Sequence, residues 1–359
     1  MTETLAITSV VARAATEAGF ELAGIAPVND APELEYFPQW IAAGHAGEMK
    51  YLEARDEQGR LKRASLAHAA PWARSVVVCA INYNTAQPYS TQVDDSSRGW
   101  ISRYAWGQQD YHDAVMRRLR RVEAALRDAV ASDDLITRCY VDTGPIVERV
   151  AAKYAGVGWI GKNTCIINQK LGSWLFLGVI LTSLELEVAV LPAPDRCGSC
   201  TRCIDACPTD AIIAPHQLDS NKCIAYLTIE KRGPIPQDEE LRSGMGRHVF
   251  GCDICQDVCP WNRKAPATQA AEFKPRDELV NPALDWLAEM SAEEFRQTFH
   301  GSPVRRAKLV GLRRNAVIAM GNSRDRQFLP LLKKLAADED EVVAESAAWA
   351  ARKLADCKK

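Results

Sequence analysis

Three hydrophobic rhythms follow one another along this chain. Over residues 5–18 apolar positions recur every three or four residues, which predicts a helix, and FELAGIAP directly after it predicts a strand. SVVVCAINY, Ser75 to Tyr83, is continuous and β-branched, the pattern of a strand buried on both faces. From Tyr111 to Val130, Val115, Leu119, Val122, Leu126 and Val130 share one helical face and five arginines take the other. CYVD, Cys139 to Asp142, predicts a short strand that stops at TGP. Pro145 then suits the first turn of a helix running on through IVERVAAKYAG. Residues 173–187 predict one long strand or a hairpin, and the proline-rich LPAPD (Leu191 to Asp195) marks a boundary. From Phe273 the pattern becomes helical. The tail predicts two or three short helices with turns at Gly321-Asn322 and Asp338 to Asp340, the form of a HEAT-type helical-hairpin repeat.

The expected fold class is therefore α+β and multidomain, with an α/β part over 1–190, a cysteine-rich part over 191–265 and a helical part over 266–359. The longest apolar stretch, Trp174 to Leu184, is about half a membrane helix and runs into Glu185 and Glu187. The start, MTETLAITSV, lacks a basic region followed by an apolar core. The expectation is a cytoplasmic protein without a membrane, and nothing in the pattern demands assembly beyond a monomer.

Composition changes the picture little: 47% hydrophobic and 25% charged residues in a chain of 359 exclude a disordered or collagenous protein. Charge placement changes it more. Residues 301–334 carry nine basic side chains against Asp325 alone, so this segment is +8 inside a chain of net charge −2. One basic face on an otherwise acidic protein points to a polyanion.

Cysteine placement changes it most. Eight of twelve cysteines lie between Cys197 and Cys259, and in a reducing compartment such clustering means metal. Cys197, Cys200, Cys203, Cys207 and Pro208 read C-x2-C-x2-C-x3-C-P, the bacterial ferredoxin run that ligates cubane iron–sulfur clusters. The fourth thiolate of such a run reaches a second cube. Cys252, Cys255, Cys259 and Pro260 match the last three positions of a second run, and Cys223 supplies the first across a 28-residue insertion. Crossing the fourth ligands gives one 4Fe–4S cluster on Cys197, Cys200, Cys203 and Cys259 and another on Cys207, Cys223, Cys252 and Cys255. Structural zinc would favour paired C-x2-C knuckles and leaves this spacing unexplained. Two clusters make an electron wire, and the long flanking segments imply an acceptor in the N-terminal part.

The acceptor has a weaker signature. GVGWIGKN (Gly156 to Asn163) has G-x-G-x-x-G spacing but follows a helix instead of opening one, so it fails as a dinucleotide fingerprint. Asp142, at a strand end, is the carboxylate placed to be partly buried and to donate a proton near neutral pH. The chain also has no D-x-H-x-x-G, the loop that supplies histidine to a base-off corrinoid.

Seven segments together resemble the tRNA epoxyqueuosine reductases, which are cobalamin-dependent iron–sulfur enzymes. They are MKYLEAR (Met49 to Arg55), ISRYAWGQQDYH (Ile101 to His112), YVDTGPIVERVAAKYAGVGWIGKNT (Tyr140 to Thr164), RCGSCTRCIDACPTDAI (Arg196 to Ile212), LDSNKCIAYLTIE (Leu218 to Glu230), FGCDICQDVCPWNRK (Phe250 to Lys264) and the helical tail. The resemblance implies a nitroreductase-like cobalamin domain, a ferredoxin-like domain and a HEAT-like domain. It implies reduction of epoxyqueuosine to queuosine at the wobble position of tRNA, the last step of queuosine biosynthesis. It also implies that Asp142 donates the proton, and that Arg63, Lys162 and Asp142 contact cobalamin, although RASLAHAAPWA beside Arg63 departs from the family's usual loop. On this reading the clusters feed single electrons to a cobalt that attacks the epoxide carbon, and Asp142 protonates the leaving oxygen. Arg305, Arg306, Arg313 and Arg314 are the expected tRNA contacts, and a ferredoxin- or flavodoxin-type protein is the expected external donor. Two other classes compete: a reductive-dehalogenase-like corrinoid enzyme acting on a small molecule, and an electron carrier or redox-sensing RNA-binding protein without cobalamin.

Overall fold

The computed structural model describes residues 3–188 and 190–356; Cys357 and the first two residues of MTETLAITSV lie outside the described residues. The N-terminal part is built on one antiparallel sheet of four strands, β1 (Leu22–Pro27), β2 (Ser75–Asn82), β3 (Thr137–Tyr140) and β4 (Leu175–Thr182), in the order β1-β2-β4-β3. All eight residues of β2 are buried, as its continuous apolar run requires of a central strand covered on both faces. Alternation then divides them. Val77, Cys79 and Ile81 pack toward α1 (Glu3–Glu17) and α2 (Tyr111–Val130), while Val76, Val78 and Ala80 pack toward α3 (Glu148–Tyr154) and Leu66. The amphipathic reading of α2 holds. Asp110 caps it by accepting the His112 N–H at 3.0 Å, and Val115, Leu119 and Leu126 are wholly buried. Leu119 and Val115 close so tightly on Gly178 of β4 that a Cβ there would meet them at 2.7 and 2.9 Å.

One alternative is decided and two expectations are corrected in detail. Of residues 173–187, Leu175–Thr182 form a single strand and no hairpin, because β4 pairs along its full length with β2. The strand before TGP is Thr137–Tyr140, with Cys139 opposite Ile180. Its helix opens at Glu148 and not at Pro145. Asp142 adopts φ = 59° and gives its N–H to the Glu148 carboxylate at 2.7 Å, so residues 141–147 are a turn rather than a first helical turn.

The tail folds into three helices, α4 (Lys308–Asn322), α5 (Leu329–Leu335) and α6 (Glu341–Asp356), as its turn signals predicted. Their core is continuous with residues of the cysteine region, joining Leu312, Ala316 and Ala350 to Ile224, Leu227, Val249 and Phe250. Asn315 Nδ2 bridges the Thr228 and Val249 carbonyls at 2.9 Å each. Arg314 is 1% exposed and donates to the carbonyls of Leu227, Lys231 and Gly233 at 2.7, 3.0 and 2.6 Å. Burial pulls its guanidinium down to about 10. Arg314 is thus a bolt between two parts of the molecule and offers nothing to a phosphate, which corrects its assignment as a tRNA contact. Arg314→Ala is expected to lower stability by about 2–4 kcal/mol, because the facing carbonyls lose their donor in a buried place. A thermal melt should show the fall, with stem-loop affinity unchanged in folded protein.

Candidate redox and catalytic site

The eight clustered thiols fall into two sets. Cys203 faces Cys197 and Cys259, and Cys259 also faces Cys200. Cys223 faces Cys207, and Cys252 and Cys255 face Cys223. These are the crossed sets that the spacing gives. Burial pushes the Cys203 thiol up to about 11 and raises Cys197 and Cys259, so bare thiolates are disfavoured until cationic iron balances them. Supporting hydrogen bonds fit as well, with the Ala211 N–H pointing at Cys207 Sγ at 3.3 Å. The donor set fits two cubane clusters.

Both thiol loops are fastened to the N-terminal part. Lys162 Nζ donates to the carbonyls of Gly198 and Cys200 at 2.7 and 3.0 Å. Asn163 Nδ2 reaches the Cys255 carbonyl at 3.3 Å. Buried Asp253 accepts from Ser102 Oγ at 2.5 Å and the Arg103 N–H at 2.6 Å. Lys162 is therefore committed to the first thiol loop, which corrects its expected place at the corrin. The GWIGKN hairpin, which failed as a dinucleotide fingerprint, serves as this clamp. Cys165 stands beside Cys255, a ninth thiol at the second set whose position its isolated place in the sequence concealed. Cys79 and Cys139 are buried in the sheet, and burial pushes Cys139 up to about 12, so they are inert packing groups.

Asp142 sits at the end of β3. Its carboxylate is exposed and not partly buried as its strand-end position suggested. Tyr111 Oη donates to Asp142 Oδ2 at 3.0 Å, and the Tyr111 ring stacks on Phe176 with centroids 4.4 Å apart. Tyr104 meets Tyr111 edge-on at 5.8 Å. The Glu148 carboxyl, walled in by protein and facing the Asp142 charge, is pushed up to about 8. Burial pulls the Arg149 guanidinium down, but the charges of Cys165, Asp142 and Cys255 outweigh it and raise it, so Arg149 feels both this carboxylate and the second thiol set. On the far side Arg306 pairs with Glu230 at 2.5 Å, and Arg306 and Arg63 stand 5.8 and 6.0 Å from the Tyr51 ring centre. Arg63 also lines a small cleft of about 30 Å³ with Ala26, Pro27, Val76, Pro145 and Tyr154.

The structure thus brings Arg63, Asp142 and Arg306 into one neighbourhood and adds Tyr51, Tyr104, Tyr111, Glu148 and Arg149. Sequence reasoning quoted the strings that hold these five without singling them out. Arg313 stays apart, since its guanidinium bonds Asp338 at 2.6 Å and the Ala288 carbonyl at 2.7 Å. Of the basic segment, Arg305, Lys308, Arg324, Arg326, Lys333 and Lys334 are exposed, and Lys334 pairs with Glu289 at 2.8 Å.

Two sets of clustered thiols, fastened to a part of the chain that presents the Tyr111–Asp142 pair, define an iron–sulfur oxidoreductase. A family model described as 4Fe-4S double cluster binding domain matches residues 196–262, and one described as epoxyqueuosine reductase QueG, DUF1730, matches residues 63–143. Epoxyqueuosine reductase of Synechocystis sp. is 43% identical over 297 residues, covering 82% of this chain and 98% of its own. That of Pseudomonas aeruginosa is 38% identical over 341 residues, covering 94% and 91%. A crystal structure of epoxyqueuosine reductase with a tRNA-Tyr epoxyqueuosine-modified stem loop superposes with a TM-score of 0.85 at 31% identity, covering 97% of this chain and 90% of that one. The chain belongs to the epoxyqueuosine reductase family.

Proposed function

We propose that this enzyme reduces epoxyqueuosine to queuosine in the wobble position of tRNA. The observation that carries the reading is Asp142, held accessible by a left-handed turn and a tyrosine, beside a thiol set that can deliver electrons. Two electrons and two protons convert the epoxide to an alkene and release its oxygen as water. Asp142 gives the proton to the leaving oxygen, and Tyr111 fixes the direction of its carboxyl. Glu148, raised to about 8, holds a proton at neutral pH next to Asp142 and can restore it.

The side chains about Asp142 suit cobalamin in their chemistry: Arg63 and Arg149 would offer donors to corrin amides or phosphate, and Tyr104 and Tyr111 would offer flat apolar faces. When bound, the corrin supplies a low-valent nucleophilic cobalt, which suits a chain without a D-x-H-x-x-G histidine. The fold reading that goes with this is a nitroreductase-like unit over 1–190, a ferredoxin-like unit over 191–265 and a HEAT-like unit over 266–359. The protein would work as a cytoplasmic monomer; among the described residues no helix is long and apolar enough to cross a membrane. Phosphate contacts would come from Arg305, Lys308, Arg324, Arg326 and Lys333, exposed cations of the basic segment that have no acidic partner among the described residues.

The test is anaerobic reconstitution with iron, sulfide and cobalamin, chemical reduction, and mass spectrometry of nucleosides from an epoxyqueuosine-bearing stem loop. Loss of one oxygen from the modified base is expected. Fully loaded protein that leaves the base unchanged overturns the reading.

A further inference from the structure

The two thiol sets differ in what surrounds them. Buried residues back the second: Ser220, Ile224, Gly251, Asp253 and Gln256. Around the first, Arg196, Gly198, Ser199, Thr201 and Arg202 are exposed, and open space lies where a Gly198 side chain would stand. Cys197 and Cys259 pack with Trp159 and Trp261, whose rings meet edge-on at 5.0 Å, and exposed Arg263 and Lys264 follow Trp261 in the chain. The first set is thus the one ringed by exposed loop residues, and electrons entering from outside have it as their port.

The charges on this face are one-sided in what they leave free. Asp195 accepts the Cys197 N–H at 2.7 Å and faces His216 at 3.7 Å, and Asp205 accepts Thr201 Oγ1 at 2.8 Å. The side chains of Arg196, Arg202, Arg263 and Lys264 have no hydrogen-bond or ion-pair partner among the described residues. Val190, 55% exposed, and Leu191, 86% exposed, precede Arg196 in the chain by six and five residues.

We propose that this face docks an acidic one-electron carrier protein, which reduces the cluster held by Cys197, Cys200, Cys203 and Cys259. Free cations around a redox centre steer an anionic partner, and a small apolar rim suits an interface that must also release it. Each encounter oxidises the carrier by one electron and reduces the cluster by one. Two encounters supply the pair that the epoxide takes up with two protons, and in that one respect the inference rests on the proposed function. RNA phosphate is the rival occupant of the cations. The exposed Leu191 and Val190 argue against it, as does the position of the face at the set remote from Asp142.

The test uses the full chain loaded with both clusters. Cluster bleaching is followed by stopped flow with flavodoxin hydroquinone, an acidic carrier, and separately with reduced methyl viologen. In an Arg263→Glu/Lys264→Glu protein the flavodoxin rate constant should fall at least about tenfold at low salt, with a flatter salt dependence. The viologen rate and the affinity for a tRNA stem loop should not change. Arg196→Glu serves as a second variant, and iron content shows which of the two reports on intact clusters. Unchanged flavodoxin rates overturn the proposal. So does a loss of stem-loop affinity at unchanged flavodoxin rates, which would assign the face to RNA. Because bleaching is read without substrate, failure of epoxide turnover would sink the functional reading and leave this measurement standing.

Discussion

An Asp142→Asn protein is expected to keep its iron content and cluster spectra and to lose turnover by a factor of about 10²–10⁴, the range for removing a positioned general acid. Asparagine tolerates the left-handed backbone at this position, fills the same volume and can still accept from Tyr111 Oη. What it lacks is an acidic proton, so the loss would report on chemistry and not on folding. Single-turnover conversion of an epoxyqueuosine stem loop, with stem-loop affinity measured alongside, checks this; wild-type-like turnover removes Asp142 from the mechanism. The neighbouring carboxyl adds a pH signature. Glu148 is raised to about 8, so it carries its proton below that pH and loses it above. Turnover should therefore decline as pH rises through about 8. Glu148→Gln cannot ionise and should abolish that decline while still accepting the Asp142 N–H.

The parts of this site that were legible in the sequence are those whose geometry is local. The thiol spacing pointed to a pair of iron–sulfur clusters, because a cube dictates how many residues separate successive ligands along one loop. The continuous apolar run of β2 and the one-sided face of α2 revealed the sheet and its cover for the same reason. The ring around Asp142 was not legible, because Tyr51, Tyr111, Glu148 and Arg306 converge from four separate segments and no spacing encodes that meeting. The basic tail misled in a specific way. Charge counting treats every arginine as surface, yet Arg314 is wholly enclosed among carbonyls and Arg313 is matched to Asp338. A buried arginine looks the same as an exposed one until the carbonyls around it are known. Lys162 erred in the same direction: its string suggested a cofactor loop, and tertiary packing turned it onto the first thiol loop instead.

Cys259→Ala should empty the first cluster although Cys259 lies in the second run. In the fold the charges of Cys197 and Cys200 act on it and its own acts on Cys203, and it packs beside Cys197, Trp159 and Trp261. Cys207→Ala should do the reverse, emptying the second cluster from within the first run, because Cys207 adjoins Cys223 and Cys252. In each variant iron and acid-labile sulfide should fall to about half. The electron paramagnetic resonance of reduced Cys259→Ala should match that of Cys197→Ala and differ from that of Cys207→Ala. Turnover with a protein donor should vanish in both, since one lacks the port and the other the cluster beside Asp142. With a small chemical reductant that can reach the second cluster directly, Cys259→Ala should retain measurable conversion and Cys207→Ala should not. If Cys259→Ala instead shares its spectrum with Cys252→Ala, the ligands are not crossed, and the inward route from first set to second set falls with them.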